Sequence, residues 1–393
     1  MNAITGQTNS QYDEISGGHS DDRLQRKTAA APGVRGRPVQ LSGHPHGCRA
    51  GRHAPGREPA GGEGVRGKRQ CGDRARHPAA GQRAPVSDWL SIVDGLAGDV
   101  RRDEPMASHV SWRAGGPVRR YVRPADIAEL RTLFRAMPAD EPVLWLGLGS
   151  NLLVRDGGFA GTAIATQSLA GIERIADDRF RVEAGAACNK VARFTAKAGA
   201  VGAEFLAGIP GTMGGALAMN AGAFGGETWP LVVAVETIDR NGDIRRRSAD
   251  EFAHGYRHVE GPMDAGFVTC ELRVPRGDTE AAQANIKALL ARRNATQPTG
   301  QPSCGSVFRN PDGDYAARLI EAAGLKGRCL GAACVSEKHA NFIINTGDAL
   351  ADDIEDLLLA VRAQVKARFG VELCPEVRIV GERAKPFATE VFQ

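Results

Sequence analysis

Two glycine-rich stretches raise the first question of chemistry in this sequence, because they leave an unusual length of backbone almost without bulky or charged side chains. One is GLGSN at residues 147–151, and the other is GIPGTMGGALAMNAGAFG at residues 208–225. Glycine lets backbone N–H groups approach an anion closely, and successive N–H groups can form a concave anion-binding nest. These loops therefore raise the hypothesis of a phosphate-bearing ligand, with tight turns as the alternative.

Known phosphate-binding signatures do not decide between these alternatives. Neither stretch matches the G-x-x-x-x-G-K-[ST] phosphate loop, and neither matches the G-x-G-x-x-G fingerprint that opens a helix in dinucleotide-binding folds. Taken alone, each loop therefore favours tight-turn structure over phosphate binding.

The first 85 residues differ in composition from the rest of the chain. They carry 14 Lys and Arg against 7 Asp and Glu, a net charge of +7, so the remainder of this +4 chain is near −3. One aromatic residue, Tyr12, and seven Val, Ile or Leu residues cannot bury enough apolar surface to offset the entropy lost on ordering. We predict a disordered Arg/Gly/Pro-rich extension over 1–85. A basic arm that binds nucleic-acid phosphates is the alternative, although its Arg-rich second half lacks aromatic residues for stacking.

Cysteine usage and hydropathy predict the compartment. The eight cysteines are scattered and form no C-x-x-C pair, which is typical of reduced thiols rather than of a disulfide framework or a zinc site. No apolar segment of a signal peptide follows Met1, and no run approaches the roughly 18 apolar residues that cross a bilayer. We therefore predict a cytoplasmic protein with no metal and no membrane partner.

From residue 86 onward, strands and helices are predicted in an order that would hold the two loops. Apolar residues at helical spacing predict helices in ADIAELRTLFRAM, CNKVARFTAKAGA and YAARLIEAAG and over about residues 278–293 and 350–369. Strands are predicted on both sides of GLGSN, in RFRVEAGA, in a hairpin turning at Asn241-Gly242, and in GFVTCELRVP, CLGAACVS, NFIIN and EVRIVG. The fold class is α+β, with a domain boundary near residue 277.

Eight segments in a fixed order carry a family resemblance. They are SWRAGGP, GLGSNLLV, GAEFLAGIPGTMGGALAMNAGAFGGE, YR, CGSVFRNP, ARLIEAAGLKG, VSEKHANFIIN and CPEVRIVG. Together they resemble the UDP-N-acetylenolpyruvoylglucosamine reductase family over about residues 86–382. The direct passage from RRNATQPTGQPS to CGSVFRNP is similar to the shorter type of this family, which lacks a tyrosine-bearing insertion.

The resemblance implies a fold and a domain plan. It implies a two-lobed FAD-binding domain of the vanillyl-alcohol-oxidase/PCMH type, followed by a C-terminal α+β substrate-binding domain. The predicted segments are a disordered extension at 1–85, a lead-in at 86–111, the FAD-binding domain at 112–277 and the substrate domain at 278–385.

The resemblance also implies an FAD cofactor and NADPH as the co-substrate that donates the hydride. The flavin would lie against side-chain-free backbone. The nicotinamide would share the substrate's site, and the absence of a Rossmann fingerprint agrees with this. The positions predicted to bind the cofactor are Gly147, Gly149, Ser150, Asn151, Ile209, Gly211, Thr212, Gly214, Gly215, Asn220 and Gly222.

Three catalytic residues are implied by the same resemblance. Ser306 in GSVF matches the proton donor, and a hydroxyl suffices because an enolate carbon is a strong base. Arg257 in GYRHV matches a guanidinium that grips the substrate carboxylate. Glu376 in PEV matches an acid that would carry a proton when buried. The structural alternatives are a turn serine, a solvated arginine and a solvated glutamate.

Five further polar residues are candidates for contacts with the substrate, and each could equally be structural. They are Asn310, Arg309 (in place of the family's usual lysine), Lys326, His339 and Asn341. Gln297 stands where the longer type carries a substrate-binding lysine, so that contact is not carried over. Cys304 has no visible base as a partner and is predicted to be a small packing residue.

The resemblance thus predicts an enzyme of peptidoglycan biosynthesis with a nucleotide-sugar substrate, monomeric and without a nucleic-acid partner. The enolpyruvyl ether of UDP-N-acetylglucosamine would be reduced to UDP-N-acetylmuramate. A rival is an FAD-dependent alcohol oxidase of the same FAD-binding class, which gives no reason for CGSVFRNP together with PEV. A rival of another class is a nucleic-acid-binding protein that uses the basic arm.

Overall fold

The structure is a computed structural model that describes residues 86–262, 266–388 and 391. The predicted extension at 1–85 lies outside the described residues. Among the described helices, none has both the length and the apolar character needed to cross a membrane.

The helices of the described chain cover most of the segments predicted from periodicity. The α-helices are α1 (Val86–Asp94), α2 (Ile127–Ala136), α3 (Cys188–Lys197), α4 (Met213–Met219), α5 (Thr279–Thr296), α6 (Ala316–Ala322) and α7 (Ala351–Phe369). Short 3₁₀ helices lie at Met106–Ser108, Glu204–Gly208, Trp229–Leu231 and Ala249–Glu251.

The strands of the described chain are short. They are β1 (Asp99–Pro105), β2 (Pro117–Arg123), β3 (Val143–Leu146), β4 (Leu152–Val154), β5 (Phe159–Ala165), β6 (Ile172–Ala176), β7 (Arg179–Glu183), β8 (Gly222–Ala223), β9 (Gly226–Glu227), β10 (Val232–Ile238), β11 (Ile244–Ser248), β12 (Ala253–Gly255), β13 (His258–Glu260), β14 (Gly266–Arg273), β15 (Cys329–Leu330), β16 (Ala333–Val335), β17 (Ile343–Asn345) and β18 (Arg378–Val380).

Two sheets form the first part of the fold. One has the strand order β1-β2-β5-β3, with β5 parallel to both β2 and β3. The other is antiparallel in the order β11-β10-β14-β7-β6. The predicted hairpin is present, because β10 and β11 pair and Gly242 takes the positive φ of 76° that the tight turn requires.

Helix α2 connects the cores of these two sheets. Asp126 caps it by accepting the N–H of Glu129, and Leu133 and Phe134 are fully buried. They pack in one cluster with Val122 of the first sheet and with residues of the second sheet.

Helix α5 packs on this first part rather than on the chain that follows. Ala282 and Ile286 lie in the same buried cluster as Val191 and Ala192 of α3. The boundary near residue 277 therefore remains a prediction, and the packing of α5 favours a boundary after the helix.

The last part of the chain surrounds α7. Phe308, Leu319 and Leu357 are buried together, and the cluster also takes in Trp112 from the N-terminal side. The Trp112 indole donates to the carbonyl of Ile343 at 2.7 Å. Because β18 pairs in parallel with β4, this part then returns to the glycine-rich loop at 147–151.

A buried ionic cluster fixes that return. Arg155, just after β4, donates two 2.8 Å hydrogen bonds to Glu355 of α7. Arg383 bonds both Glu355 and Asp356 at 2.9 Å. Asp156 accepts the first two N–H groups of α7. Because Glu355 and Asp356 are nearly inaccessible, removing Arg383 would leave Asp356 as a buried charge without its arginine partner.

The segment CLGAACVS differs from the prediction of one strand. Gly331 has φ +55°, so the chain turns there and forms the hairpin β15–β16. The turn places Cys329 directly opposite Cys334, and the two form a disulfide. The prediction that the cysteines are all reduced is therefore wrong for this pair, because the apolar run concealed the two-residue turn that brings them together. The described residues contain no cluster suited to a metal ion.

Candidate active site

Arg257 and Glu376 meet in a partly buried ion pair. Arg257 Nε donates to Glu376 Oε1 at 2.7 Å, and the side chains are 18% and 11% exposed. Arg257 stands in the turn between β12 and β13 with φ +53°, a strained conformation for a residue with a side chain. Its Nη2 also donates to the carbonyl of Gly222 at 3.1 Å, so two hydrogen bonds in all hold the guanidinium.

The backbone brings Ser306 to the same place. Glu376 N donates to the carbonyl of Val307, the residue after Ser306, at 2.8 Å. Arg309 N donates to the carbonyl of Cys374 at 2.9 Å. The segment after Ser306 therefore runs beside the segment that carries Glu376, and the three predicted catalytic residues share one region.

Asn341 holds the segment that follows Ser306. Its Oδ1 accepts Phe308 N at 3.0 Å, its Nδ2 donates to Phe308 O at 2.8 Å, and its carbonyl accepts Val307 N. Since Asn341 is 3% exposed, its amide serves the backbone, which favours the structural alternative for this residue.

The surroundings of Glu376 shift its proton binding in the direction of the acid form. Burial raises the pKa of Glu376 above its usual value, and the positive charges of Arg257 and Arg309 only partly oppose this effect. The direction agrees with the prediction of a proton-bearing acid.

Asn151 links the first glycine-rich loop to Glu376. Its Nδ2 donates to the carbonyl of Glu376 at 3.0 Å, and its own carbonyl accepts Arg378 N at 3.1 Å. The loop is therefore fixed to the backbone of the segment that carries the predicted acid.

The glycines of the loops serve two different purposes. A Cβ at Gly149, which has φ +60°, would overlap the carbonyl of His109, and one at Gly147 would overlap Thr212. A Cβ at Gly211 would lie 3.5 Å from Ser150 Oγ, and one at Gly215 would lie 3.9 Å from Thr212 Oγ1, so the protein itself tolerates a side chain there. Only the second pair leaves space in front of the backbone for a ligand.

The backbone N–H groups at the start of α4 are only partly available. Gly214 N donates to Ala184 O at 2.7 Å, and Met213 N donates to Ala186 O at 2.9 Å. Thr212 is buried, whereas Ile209 is half-buried. The predicted nest therefore cannot use every N–H group of this stretch.

Asn220 is fully buried and engaged. Its amide donates to Glu227 at 2.9 Å and to Gly255 O at 3.0 Å, and its Oδ1 accepts Trp229 N at 3.0 Å. The bond to Gly255 fixes the start of the turn that carries Arg257, so the Asn220 side chain helps to position Arg257. Direct contact with the cofactor stays a prediction.

A cavity of about 240 Å³ opens where the loops meet. Ser150, Pro210, Gly305 and Arg293 line it. Arg293 of α5 was missed by sequence reasoning. Its guanidinium donates to Gln297 at 3.3 Å and pairs with no carboxylate of the described chain, while burial lowers its pKa. A half-buried cation with such surroundings can neutralise an anion. Its only sequence signal is its place four residues before Gln297.

Cys304 packs under the first loop. Its thiol contacts the carbonyls of Gly149 at 3.4 Å and Leu152 at 3.5 Å. Burial raises its pKa to about 12, so the group stays a neutral thiol near pH 7. The structure thus agrees with a packing residue.

The remaining candidates for substrate contacts differ in their surroundings. Lys326 pairs with Glu321 at 3.0 Å, and His339 is half-buried with a pKa lowered mainly by burial. Arg309 is half-buried, and its Nε has no hydrogen-bond partner in the described structure. Asn310 is exposed, and its Oδ1 accepts Ala316 N at 3.1 Å.

Tyr256 is a second residue that sequence reasoning missed. Its ring is 49% exposed and lies 5.2 Å from the Arg257 guanidinium. Its hydroxyl accepts Asn310 N at 3.4 Å. An aromatic side chain beside an arginine in the YR segment was the available signal.

Comparison with known proteins identifies the family. A family model described as "UDP-N-acetylenolpyruvoylglucosamine reductase, C-terminal domain" matches residues 297–380, and one described as "FAD binding domain" matches residues 118–248. The UDP-N-acetylenolpyruvoylglucosamine reductase of Alkalilimnicola ehrlichii is 59% identical over 285 residues, which cover 72% of this chain and 96% of that protein. The chain belongs to the UDP-N-acetylenolpyruvoylglucosamine reductase family.

Two further members of this family agree with the assignment. The reductase of Methylococcus capsulatus is 59% identical over 280 residues, covering 71% of this chain and 92% of that protein. The crystal structure of the Thermus caldophilus reductase matches with a TM-score of 0.63 and 30% identity, covering 72% of this chain and 99% of that chain. The predictions of the family, of a PCMH-type FAD-binding domain with a C-terminal domain, and of a flavin-dependent oxidoreductase are confirmed.

Proposed function

We propose that this chain reduces the enolpyruvyl ether of UDP-N-acetylglucosamine to UDP-N-acetylmuramate, with FAD as cofactor and NADPH as hydride donor. The observation that carries the proposal is the Arg257–Glu376 pair, held beside the Ser306 segment and linked by Asn151 to a glycine-rich loop. A cation, a buried acid and a hydroxyl are the groups that reduction of a carboxylate-bearing alkene requires.

The residues present fit FAD. Gly211 and Gly215 leave a surface that an added Cβ would occupy, and Ser150 lines the adjoining cavity. Arg293 supplies a positive charge to that cavity, which suits a diphosphate. We propose that these residues hold the dinucleotide, with the predicted Ile209 and Thr212 shaping the second loop.

Bound FAD would supply a hydride to the terminal carbon of the enolpyruvyl double bond. The electron pair of that bond then moves toward the carboxylate and leaves an enolate with two negative charges. Arg257 faces this charge as a fixed cation, since its Nε and Nη2 are both held by the protein. Because burial favours the acid form of Glu376, its carboxyl group can donate a hydrogen bond to the same oxygen atoms.

Ser306 completes the reaction by giving its hydroxyl proton to the enolate carbon next to the carboxylate. The Asn341 amide and the backbone of Glu376 hold the residues directly after Ser306, so the hydroxyl is presented from a fixed segment. A hydroxyl keeps its proton near neutral pH and releases it only to a strong base, such as the enolate carbon.

The order of the two half-reactions follows from a shared site. NADPH and the enolpyruvyl nucleotide would bind in turn, which is supported by a sequence without a Rossmann fingerprint. We also propose that the enzyme is a cytoplasmic monomer without a nucleic-acid partner. The Arg-rich second half of the extension has no aromatic residues for stacking, which supports the last point.

The visible spectrum of the purified protein tests the proposal. We expect a flavin spectrum that NADPH bleaches and that the enolpyruvyl nucleotide restores under anaerobic conditions. A colourless protein that takes up no FAD would overturn the assignment, and bleaching by a simple alcohol would favour the oxidase. Deletion of residues 1–85 should leave the cycle intact. Loss of activity together with salt-sensitive nucleic-acid binding by the full chain would instead favour the nucleic-acid-binding alternative.

A further inference from the structure

We propose that Cys329 and Cys334 form a reversible dithiol/disulfide site, reduced by a dithiol of the thioredoxin class, whose redox state changes how tightly the neighbouring Lys326 turn binds the nucleotide substrate. The substrate effect rests on the function proposed above. The thiol chemistry does not.

The two cysteines occupy one rung of the β15–β16 hairpin. Cys329 pairs with Cys334 in the strand register, Leu330 pairs with Ala333, and the disulfide joins the first pair. The hairpin does not depend on that bond alone, since Thr346 N donates to Ala332 O at 2.9 Å and β17 continues the sheet. The bond can therefore open without loss of the surrounding fold.

The two sulfur atoms differ in access. Cys329 is exposed on the edge strand of this sheet, whereas Cys334 is half-buried on the central strand. A reductant therefore reaches the sulfur of Cys329 first, and exposed disulfides are the more labile ones.

The exchange balances as follows. A thiolate of the reductant attacks Cys329 Sγ, the S–S bond breaks, and Cys334 leaves as a thiolate that takes up a proton. The second thiol of the reductant then attacks the mixed disulfide, releases Cys329 as a thiol and closes the reductant's own disulfide. Two electrons and two protons pass from the reductant to the pair.

The rungs next to the disulfide define the Lys326 turn. Val335 N donates to Arg328 O at 2.9 Å, and Gly327 N donates to Val335 O at 3.0 Å. Lys326 immediately precedes these rungs. The disulfide thus lies in the ladder between the hairpin turn and the backbone bonds of Val335 to Arg328 and Gly327, which fix the position of Lys326.

The segment that follows β16 carries His339. Ser336, directly after β16, accepts the N–H groups of Lys338 and His339 through its hydroxyl. The charge of Lys326 adds to burial in lowering the pKa of His339, so the two residues interact electrostatically. Two residues predicted to contact the substrate therefore flank the same covalent rung.

The remaining cysteines of the described chain supply controls. Cys188, Cys270 and Cys304 are buried, and Cys374 is exposed and unpaired. In the folded protein, Cys374 should be alkylated whatever the redox state, whereas Cys329 and Cys334 should be alkylated only after reduction.

The first experiment maps this alkylation in the holoenzyme. The protein is oxidised with glutathione disulfide or reduced with dithiothreitol or a thioredoxin, alkylated without unfolding, and digested for mass spectrometry. We expect the peptides of Cys329 and Cys334 to be joined in the oxidised sample and alkylated in the reduced one, with Cys374 alkylated in both. A pair that stays unjoined after oxidation, or joined after reduction, overturns the redox site. This result is independent of enzymatic turnover.

The second experiment measures KM for the enolpyruvyl nucleotide in both states. We expect reduction to raise KM by about 2- to 30-fold with a smaller change in kcat, the range for couplings through contiguous contacts. Cys329→Ser should show the higher KM of the dithiol state under both conditions. Cys374→Ser should keep the difference in KM between the two states. Equal KM values in both states of a pair that cycles would overturn the coupling, and absence of any FAD-dependent turnover would instead overturn the proposed function.

Discussion

Arg257 Nε and Glu376 Oε1 lie 2.7 Å apart although 119 residues separate them in the sequence. Each residue is strained or buried in its own way: Arg257 has φ +53°, and burial raises the pKa of Glu376. Two such unfavourable local states persist only when the surrounding fold imposes them, and such residues concentrate at functional sites.

Substitutions at Glu376 separate its hydrogen bond from its charge. Glu376→Gln keeps a donor of similar shape, so we expect a small loss in the rate at which the substrate reoxidises the reduced flavin. Glu376→Ala should lower that rate by about 10²- to 10³-fold, the usual effect of removing one stabilising donor. Stopped-flow absorbance measures both, with flavin content as the folding control. Equal, near wild-type rates for the two variants would remove the proposed role.

Ser306→Ala should divide the two half-reactions. NADPH should bleach the flavin of this variant at the wild-type rate, because no hydroxyl proton is needed for that step. Reoxidation by the enolpyruvyl nucleotide should slow by about 10²- to 10⁴-fold, the usual contribution of a general acid. Reoxidation at the normal rate would show that another group donates the proton.

The rate of reoxidation should depend on the protonation of Glu376. Because burial raises this pKa above the usual 4.5, the acid form persists to higher pH. The rate should therefore be constant on the acid side and should fall as the pH rises through the raised pKa. The same shift makes the native state bind the proton more tightly, so this group's contribution to the free energy of unfolding decreases across that interval. Glu376→Gln should abolish the decline of the reoxidation rate at high pH. An unchanged pH profile in this variant would show that another group causes the decline.

Alanine at two neighbouring glycines tests which loop positions face the ligand. Gly211→Ala meets no protein atom nearer than 3.5 Å, so the apoprotein should keep its melting temperature while its affinity for FAD falls. Gly149→Ala needs a side chain at φ +60° against the His109 carbonyl, so its apoprotein should be destabilised. Calorimetry and flavin fluorescence titration measure both effects. Unchanged FAD affinity for Gly211→Ala, with the fold intact, would place the dinucleotide elsewhere.

Local signals predicted the elements of this fold better than their assembly. The spacing of Leu130, Leu133 and Phe134 predicts α2, and Asn241-Gly242 predicts the β10–β11 turn, because both depend on neighbours in sequence. The one-strand prediction for CLGAACVS fails since a two-residue turn interrupts an apolar run without any polar residue.

The candidate site shows the same division. Ser306, Arg257 and Glu376 are found by motif, yet their convergence depends on strand pairings between distant segments. Arg293 and Tyr256 are found only from the fold, because a lone arginine on a helix and a tyrosine in a turn are most often surface residues.

The parallel pair of β18 with β4 has a consequence for biosynthesis. Residues 378–380 complete a ladder begun at residues 152–154, and Glu376 stands just before the late strand. During translation, the glycine-rich loops and Arg257 are therefore synthesised long before Glu376. We therefore expect flavin capture near this corner to follow translation of residue 376, so ribosome-stalled chains that stop short of it should retain little of the dinucleotide.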